Sequence, residues 1–371
     1  MPKDLLLISG IYPPESGGPA IFAEKFSRWS SLQDWRVNVL TYSDIEHIEV
    51  PSLGLQIHRV ARRKSIFWRY IAFARIIGRF VDKSDCVLSI GAFVETYISS
   101  IFLRFNYVAK VPGDIVWERA RNAGRTNLTI EDFQKVPLAF KYRLFRIVFS
   151  RSLRRAKNVI VPSEGLYKLC LSWGVKSDRL HLIYNSITVP QEDELKPKSG
   201  SYDLLTVCRL TPWKGVDELI EYVANRRLRL VIAGDGPERC KLEDLASHLG
   251  ADVTFLGDVA HNSIFQLFSQ SKVFVLNSYY EGLPHALIEA RGHKILSVAR
   301  AGTGSEEVIH DDFDGLLVRQ DRSLSVTLDL AFSREIDENN FVDRAFLDTK
   351  NRFSRELSFR SIIDVLEKTG R

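Results

Sequence analysis
VFVLNSYYEGLPHALIE, the seventeen residues from Val273 to Glu289, spell strand, loop and helix in a single pass. Val273 to Leu276 is an unbroken apolar run of strand length, the pattern of a parallel strand covered on both faces. It stops at Asn277. The polar and aromatic loop to Gly282 leads to Pro284, whose fixed φ and missing N–H suit the first position of a helix, so Leu283 to Arg291 reads as a helix start. Such an end offers free backbone N–H groups and a partial positive charge to an anion. Glu281 precedes it, and Glu289 lies one turn beyond His285 on the same face. Carboxylates accept hydrogen bonds from sugar hydroxyls and the helix end accepts phosphate, which suits a sugar nucleotide. Two Glu at this spacing also arise by chance, so the rest of the chain has to carry the reading.

The 371 residues allow two or three domains, each with its own core. With 45% hydrophobic and 26% charged residues the composition is that of a soluble globular protein. Cys86, Cys170, Cys208 and Cys240 are widely spaced and show no metal-ligand pattern, so they read as reduced thiols of a cytosolic protein. MPKDLLLISG enters a strand without a signal-peptide layout, and no apolar run reaches membrane-span length. A cytoplasmic location is expected, with peripheral contact at the inner face of the membrane as an option. Charge is uneven: residues 1–190 hold 28 Lys and Arg against 16 Asp and Glu, and the remainder 23 against 30. A basic half joined to an acidic half signals a partner, either nucleic acid or an anionic membrane surface.

Read in order, the first half gives strands at Leu5 to Ile8, Val37 to Tyr42, Gln56 to Val60, Cys86 to Ile90, Tyr107 to Val111, Asn158 to Val161 and Leu180 to Ile183. After the first strand, Gly17 and Gly18 serve either a close approach to a ligand or a plain turn. Residues 62–80 form an amphipathic helix with Ile66, Tyr70, Phe73, Ile77 and Phe80 toward the core. Lys64, Trp68, Arg75 and Arg79 stand on its other face, which is either a solvated surface or an interfacial membrane contact. Gly113, Asp114, Trp117 and Glu118 cluster past a strand's carboxyl end, where open α/β sheets bind ligands. Phe140 to Lys157 is a basic, aromatic helix, and Ser163 is placed as a helix N-cap. Residues 188–202 read as a linker. Strand and helix then alternate again through Asp203 to Cys208, RLTPWKG, Leu228 to Ala233, GDGP, Val253 to Leu256, the opening stretch, Ile295 to Val298 and DGLLV. Two doubly wound α/β domains follow from that alternation.

These residues resemble the retaining glycosyltransferases of family 4, the "group 1" family, with the GT-B fold of two facing Rossmann-like domains. EGLPHALIEA (Glu281 to Ala290) is similar to the family's E-x7-E motif, Arg209, Leu210, Lys214 and Gly215 to its RL…KG motif, and Gly234 to Pro237 to its GDGP turn. Gly304 with Glu307 and the turn at Gly315 fit further motifs, while Tyr12 to Gly18 and Pro162 to Glu164 fit more loosely. The resemblance implies an acceptor-side domain at 1–187, a nucleotide-sugar domain at 203–350, and a terminal segment, 351–371, whose helix returns to the first domain.

By the same resemblance Arg209 and Lys214 hold the donor diphosphate, Glu281 the transferred sugar and Glu289 the ribose. Gly17, Gly18, Gly234, Gly282, Leu283, His285 and Ala286 complete the donor site, and Gly113, Asp114, Trp117 and Glu118 are acceptor-side candidates. The family's N-domain His is replaced here by Lys-Val-Pro-Gly-Asp. No metal and no cofactor is implied. The expected partners are a nucleotide sugar, a glycan or lipid-linked acceptor and an anionic membrane surface, and not nucleic acid. The rivals are an epimerase or phosphorylase on the same fold and a non-catalytic nucleic-acid- or anion-binding protein.

Overall fold
Each apolar run read as a strand forms one. The computed structural model describes residues 2–15, 18–44, 54–63, 65–302 and 304–370; Gly17, Lys64 and the side chain of Ile66, all singled out from the sequence, lie outside the described residues. Strands β1 (Lys3–Ser9), β2 (Trp35–Tyr42), β3 (Leu55–Val60), β4 (Cys86–Ile90), β5 (Val108–Lys110), β6 (Asn158–Val161) and β7 (Leu180–Leu182) form one sheet ordered β3-β2-β1-β4-β5-β6-β7. Strands β8 (Tyr202–Val207), β9 (Arg229–Ala233), β10 (Asp252–Gly257), β11 (Ser271–Leu276), β12 (Leu296–Arg300) and β13 (Leu316–Val318) form the other, ordered β10-β9-β8-β11-β12-β13. All pairings are parallel. The cause is visible in β1, where Leu5, Leu6, Leu7 and Ile8 are all buried: both faces of the strand are covered, so successive side chains are apolar instead of alternating.

The chain divides into one unit of Met1–Ile183 with Phe359–Arg371 and a second of Tyr184–Ser358. The last helix, Arg355–Thr369, starts in the second unit, and its Phe359, Ile362, Val365 and Leu366 join the core of the first with Leu5, Val37 and Leu88. Each sheet reverses its winding direction once, the first between β1 and β4, the second between β8 and β11. Ligands of open α/β sheets bind beyond the carboxyl ends of the strands at such a point.

Some helices lack a sequence expectation. Ile115–Asn122, Ile130–Lys135, Leu324–Ala331 and Glu338–Arg352 have weak or short apolar stripes, and all four are started by side-chain caps, Asp114, Thr129, Ser323 and Asp337 in turn. Ser163 caps Glu164–Ser172, its Oγ accepting from the Leu166 amide at 3.2 Å, as expected.

Candidate functional site
In the second unit the loops after β8, β9, β11 and β12 meet at the carboxyl edge of the sheet. Lys214, from the loop after β8, donates through Nζ to the Glu281 carboxylate, from the loop after β11. Both side chains are about five-sixths buried, with 15% and 16% of their surface exposed. β8 and β11 are the two strands flanking the reversal, so this ion pair spans the switch point. Gly215 makes the approach possible. Its φ is +58°, and a Cβ there would lie 2.7 Å from the Asn277 carbonyl oxygen. The Asn277 amide in turn donates to the Gly215 carbonyl at 2.8 Å, and the Tyr279 amide to the Trp213 carbonyl at 2.8 Å.

Arg300, at the end of β12, braces the same loop: its Nε donates to Asn277 Oδ1 at 3.0 Å, its Nη2 to Glu218 Oε2 at 2.7 Å, and its guanidinium lies 4.3 Å from the Tyr279 ring centre. The Gly304 amide donates to the Glu281 carbonyl at 3.0 Å, and a Cβ on Gly304 would collide with the Gly282 carbonyl. Glu281 is thus fixed by its side chain to one loop and by its backbone to another.

Pro284 is the N-cap of the helix His285–Gly292, one position earlier than the sequence suggests. Gly282 and His285 are exposed, Leu283 is buried and Ala286 half-buried. One turn on, the Glu289 carboxylate, 14% exposed, lies 2.7 Å from His261 Nε2. His261 packs edge-on against Phe265 at 4.8 Å between ring centres, and His293 stacks on Phe265 at 4.5 Å. His293 also donates through Nδ1 to the Glu289 carbonyl at 2.8 Å, which fixes the ring. His261 carries no sequence signal, because the distance of 28 residues to its partner is set by the fold.

The helix is anchored from behind by Arg291, which is fully buried. Its Nη1 donates to Asp314 Oδ1 at 2.9 Å and to the Asp314 carbonyl at 3.0 Å, and its Nη2 to Asp314 Oδ2 at 3.0 Å and Asp348 Oδ2 at 2.9 Å. His310, Asp314 and Asp348 have the mutual spacing of metal ligands, but a guanidinium already supplies the positive charge there. Asp312, Phe313 and Asp314 also spell a D-x-D triplet; Asp312 accepts from Arg322 Nη1 at 2.6 Å and Asp314 from Arg291, so both carboxylates are engaged within the protein.

Two expected residues form no hydrogen bond with Lys214 or Glu281 among the described residues. Arg209 is exposed at the end of β8 and makes no hydrogen bond or ion pair among the described residues. Gly234 donates its N–H to the Gly257 carbonyl at 2.8 Å, so that amide stitches two loops together; the GDGP turn also docks on the RL segment through Leu210 N to Asp235 O at 3.0 Å.

In the first unit Gly18 is the exposed first residue of the helix Gly18–Ser31. Asp114 is buried and fully used. Oδ1 accepts from the amides of Val116 and Trp117 at 2.9 and 3.2 Å, and Oδ2 from Gln134 Nε2 at 2.9 Å and Arg146 Nη2 at 2.6 Å. Trp117 is buried, its indole N–H donating to the Leu128 carbonyl at 3.0 Å. Glu118 packs against Gly113, and shielding by the surrounding protein, reinforced by the Asp114 charge, pushes its carboxyl up to about 7. Beside them at the end of β5, Lys110 is buried with its ammonium 4.6 Å from the Phe22 ring centre, and burial pushes it down to about 8.

With two parallel α/β units and a charged centre at the switch point of the second, the fold is that of the GT-B glycosyltransferases. The structure of HepE from Anabaena in complex with UDP and glucose superimposes with a TM-score of 0.75 at 17% identity, covering 99% of this chain and 100% of that one. A family model, "Glycosyl transferases group 1", matches residues 190–347 of this chain. The GalNAc-α-(1→4)-GalNAc-α-(1→3)-diNAcBac-PP-undecaprenol α-1,4-N-acetyl-D-galactosaminyltransferase of Campylobacter jejuni is 35% identical over 120 residues, which cover 32% of this chain and 33% of that relative. An uncharacterised glycosyltransferase of Methanocaldococcus jannaschii is 24% identical over 341 residues, 85% of this chain and 84% of its own.

Proposed function
We propose that this protein is a retaining, metal-independent glycosyltransferase whose nucleotide-sugar donor sits on the Lys214–Glu281 centre and whose acceptor is a glycan or lipid-linked saccharide. The observation that carries it is the ion pair spanning the switch point, set beside a helix N-terminus and followed one turn later by Glu289. Arg209 and Lys214 take the diphosphate and compensate the charge that grows as the bond from sugar C1 to phosphate oxygen breaks. Glu281 orients the transferred sugar and Glu289 the ribose. The acceptor oxygen attaches to C1 on the face the phosphate leaves, and its proton passes to the departing phosphate oxygen. That HepE was crystallised with UDP and glucose supports a nucleotide sugar as donor, and the C. jejuni relative's diphosphate-undecaprenol substrate supports a lipid-linked acceptor.

Reversible contact with an anionic membrane at the cytoplasmic face belongs to the same reading. Trp68, Arg75 and Arg79 are exposed on the helix Ile66–Phe80. A broader apolar face lies on the helices Phe93–Phe102 and Phe140–Arg155, where Ile101, Phe102, Phe140 and Leu144 are 49%, 80%, 82% and 52% exposed, with Lys141, Arg143 and Arg151 among them. Large exposed apolar side chains interspersed with cations suit an interfacial surface.

A thermal-shift panel of UDP-, GDP-, ADP- and TDP-sugars tests the donor assignment, since a ligand that binds only the folded state raises its melting temperature. One nucleotide should stand out, and its sugar should be consumed when an acceptor is added. No shift with any of them overturns the reading.

A further inference from the structure
The first unit carries a second concave site that no motif announces. Where its sheet reverses, beyond Gly10 after β1 and Gly91 after β4, the chain forms an open recess of about 230 Å3. Arg62, Arg69 and Arg119 line it, with Tyr42, Tyr70 and Glu95. Arg62 Nη2 donates to the Gly10 carbonyl at 3.0 Å and Arg69 Nη1 to the Arg62 carbonyl at 3.3 Å, so backbone contacts hold these two guanidinium groups; Arg119 lies over the Phe145 ring at 4.2 Å. Among the described residues none of the three forms an ion pair, and the Nε atoms of Arg62 and Arg69 are buried without an acceptor.

Three like charges gathered in a recess, two of them with buried unmet donors, disfavour one another and gain from an incoming anion. Glu95 is the single carboxylate of the lining. It accepts from the Tyr42 hydroxyl at 3.1 Å, and burial raises its carboxyl above the usual range, which weakens it as a counterion. Three cations against at most one anion match a doubly charged ligand better than one carboxylate, and planar guanidinium forks fit phosphate oxygens in pairs. Phe145 and Glu95 belong to the helices Phe140–Arg155 and Phe93–Phe102, the two that bear the exposed apolar face.

We propose that this recess binds a phosphate or diphosphate group carried by the acceptor. The term acceptor rests on the glycosyltransferase reading, whereas the anion site stands on its own geometry. The phosphate has two sources, a lipid diphosphate in a bilayer or a soluble phosphorylated saccharide.

The full chain is titrated calorimetrically with inorganic pyrophosphate in the Arg209→Ala, Lys214→Ala background, which removes both donor-side cations. Adding Arg69→Gln and Arg119→Gln should weaken the remaining binding at least tenfold, and Arg119→Gln alone, on an exposed side chain, should weaken it severalfold even if the double variant folds poorly. In parallel, phosphatidylcholine vesicles with and without undecaprenyl diphosphate are sedimented with the wild type. Retention only on doped vesicles, lost in the Gln variants, supports the site with lipid as the source; pyrophosphate binding without retention supports it with a soluble source. Pyrophosphate binding that the Gln substitutions leave unchanged, or no binding at all, overturns the proposal. Nucleotide-sugar binding by the otherwise wild-type Gln variants reports separately on the donor centre, so the two readings fail independently.

Discussion
Lys214 and Glu281 lie 67 residues apart in sequence and meet over the gap between β8 and β11, each carried by the loop of one flanking strand. On the proposed reading this ion pair offers its cation to phosphate and its carboxylate to sugar hydroxyls. Replacing Lys214 or Glu281 by Ala should lower kcat/KM by about 100-fold or more, a loss of roughly 3 kcal/mol of transition-state stabilisation. Arg209→Ala should do the same from an exposed position with no change in melting temperature. Steady-state kinetics beside thermal melts check this; intact turnover in these variants removes them from the mechanism.

On the proposed assignment Glu289 serves nucleotide binding and Glu281 serves turnover. Glu289→Ala should weaken a free nucleoside diphosphate by about 1–3 kcal/mol, the scale of a hydrogen bond to a charged group, whereas Glu281→Ala should leave that affinity nearly unchanged and lower turnover of the whole donor. His261→Ala should have a smaller effect than Glu289→Ala. Calorimetry with the nucleoside diphosphate decides, and equal losses at Glu281 and Glu289 would show that the roles are not separate.

Arg291 carries stability rather than chemistry. It is fully buried between Asp314 and Asp348, so Arg291→Ala leaves the buried Asp314 carboxylate without its guanidinium, while Asp348 keeps Arg352 at 3.3 Å, and should cost about 3–5 kcal/mol. A melt of the variant should show the transition of the second unit falling by roughly 6–15 °C. A melting point within 2 °C of wild type, roughly the shift of a lost surface contact, would mean the pair is replaceable by water.

Lys110 gives a pH signature. Burial lowers it from 10.5 to about 8, so between those values the unfolded chain binds the proton that the folded chain releases. Stability therefore rises with pH through that window, and the penalty is complete below about 8. Lys110→Met should stabilise the protein at pH 7 by about 3 kcal/mol at most, less the lost contact with Phe22, and the advantage should shrink as pH climbs from 8 toward 10.5. Denaturant titrations of both proteins across that range test it; a constant difference refutes it.

The strands were legible because both faces of each are buried, which leaves unbroken apolar runs such as Leu204 and Leu205 or Val273 to Leu276. The Lys214 and Glu281 motifs were legible because short loops at strand ends keep their spacing. Partners such as His261, Arg300 and the Arg291–Asp314–Asp348 cluster were not, since their contacts are made by chain segments distant in sequence. Asp114 has a structural part that the sequence does not show: its four hydrogen bonds cap a helix and bind Gln134 and Arg146. The recess of Arg62, Arg69 and Arg119 went unseen because its arginines come from separate segments, two of them in a stretch that reads as a solvated basic helix.

The apolar face of Phe93–Phe102 and Phe140–Arg155 widens the proposed membrane contact beyond the Ile66–Phe80 helix. Residues 140, 144 and 147 follow helical spacing and are all exposed, so burying them in a bilayer interface removes apolar surface from water while Lys141, Arg143 and Arg151 meet anionic headgroups. Each cation near such a surface contributes about 1 kcal/mol, and that part weakens as salt shortens the Debye length below about 10 Å. Co-sedimentation with anionic vesicles at low salt should retain the wild type. Phe140→Ser with Leu144→Ser should release it even at low salt, and Arg143→Glu with Arg151→Glu should make retention more sensitive to salt. The pair Arg75→Glu and Arg79→Glu on the Ile66–Phe80 helix should matter less. If that pair releases the protein and the Phe140 and Leu144 substitutions do not, the earlier helix is the membrane-binding face; a wild type that stays in the supernatant refutes membrane binding at either face.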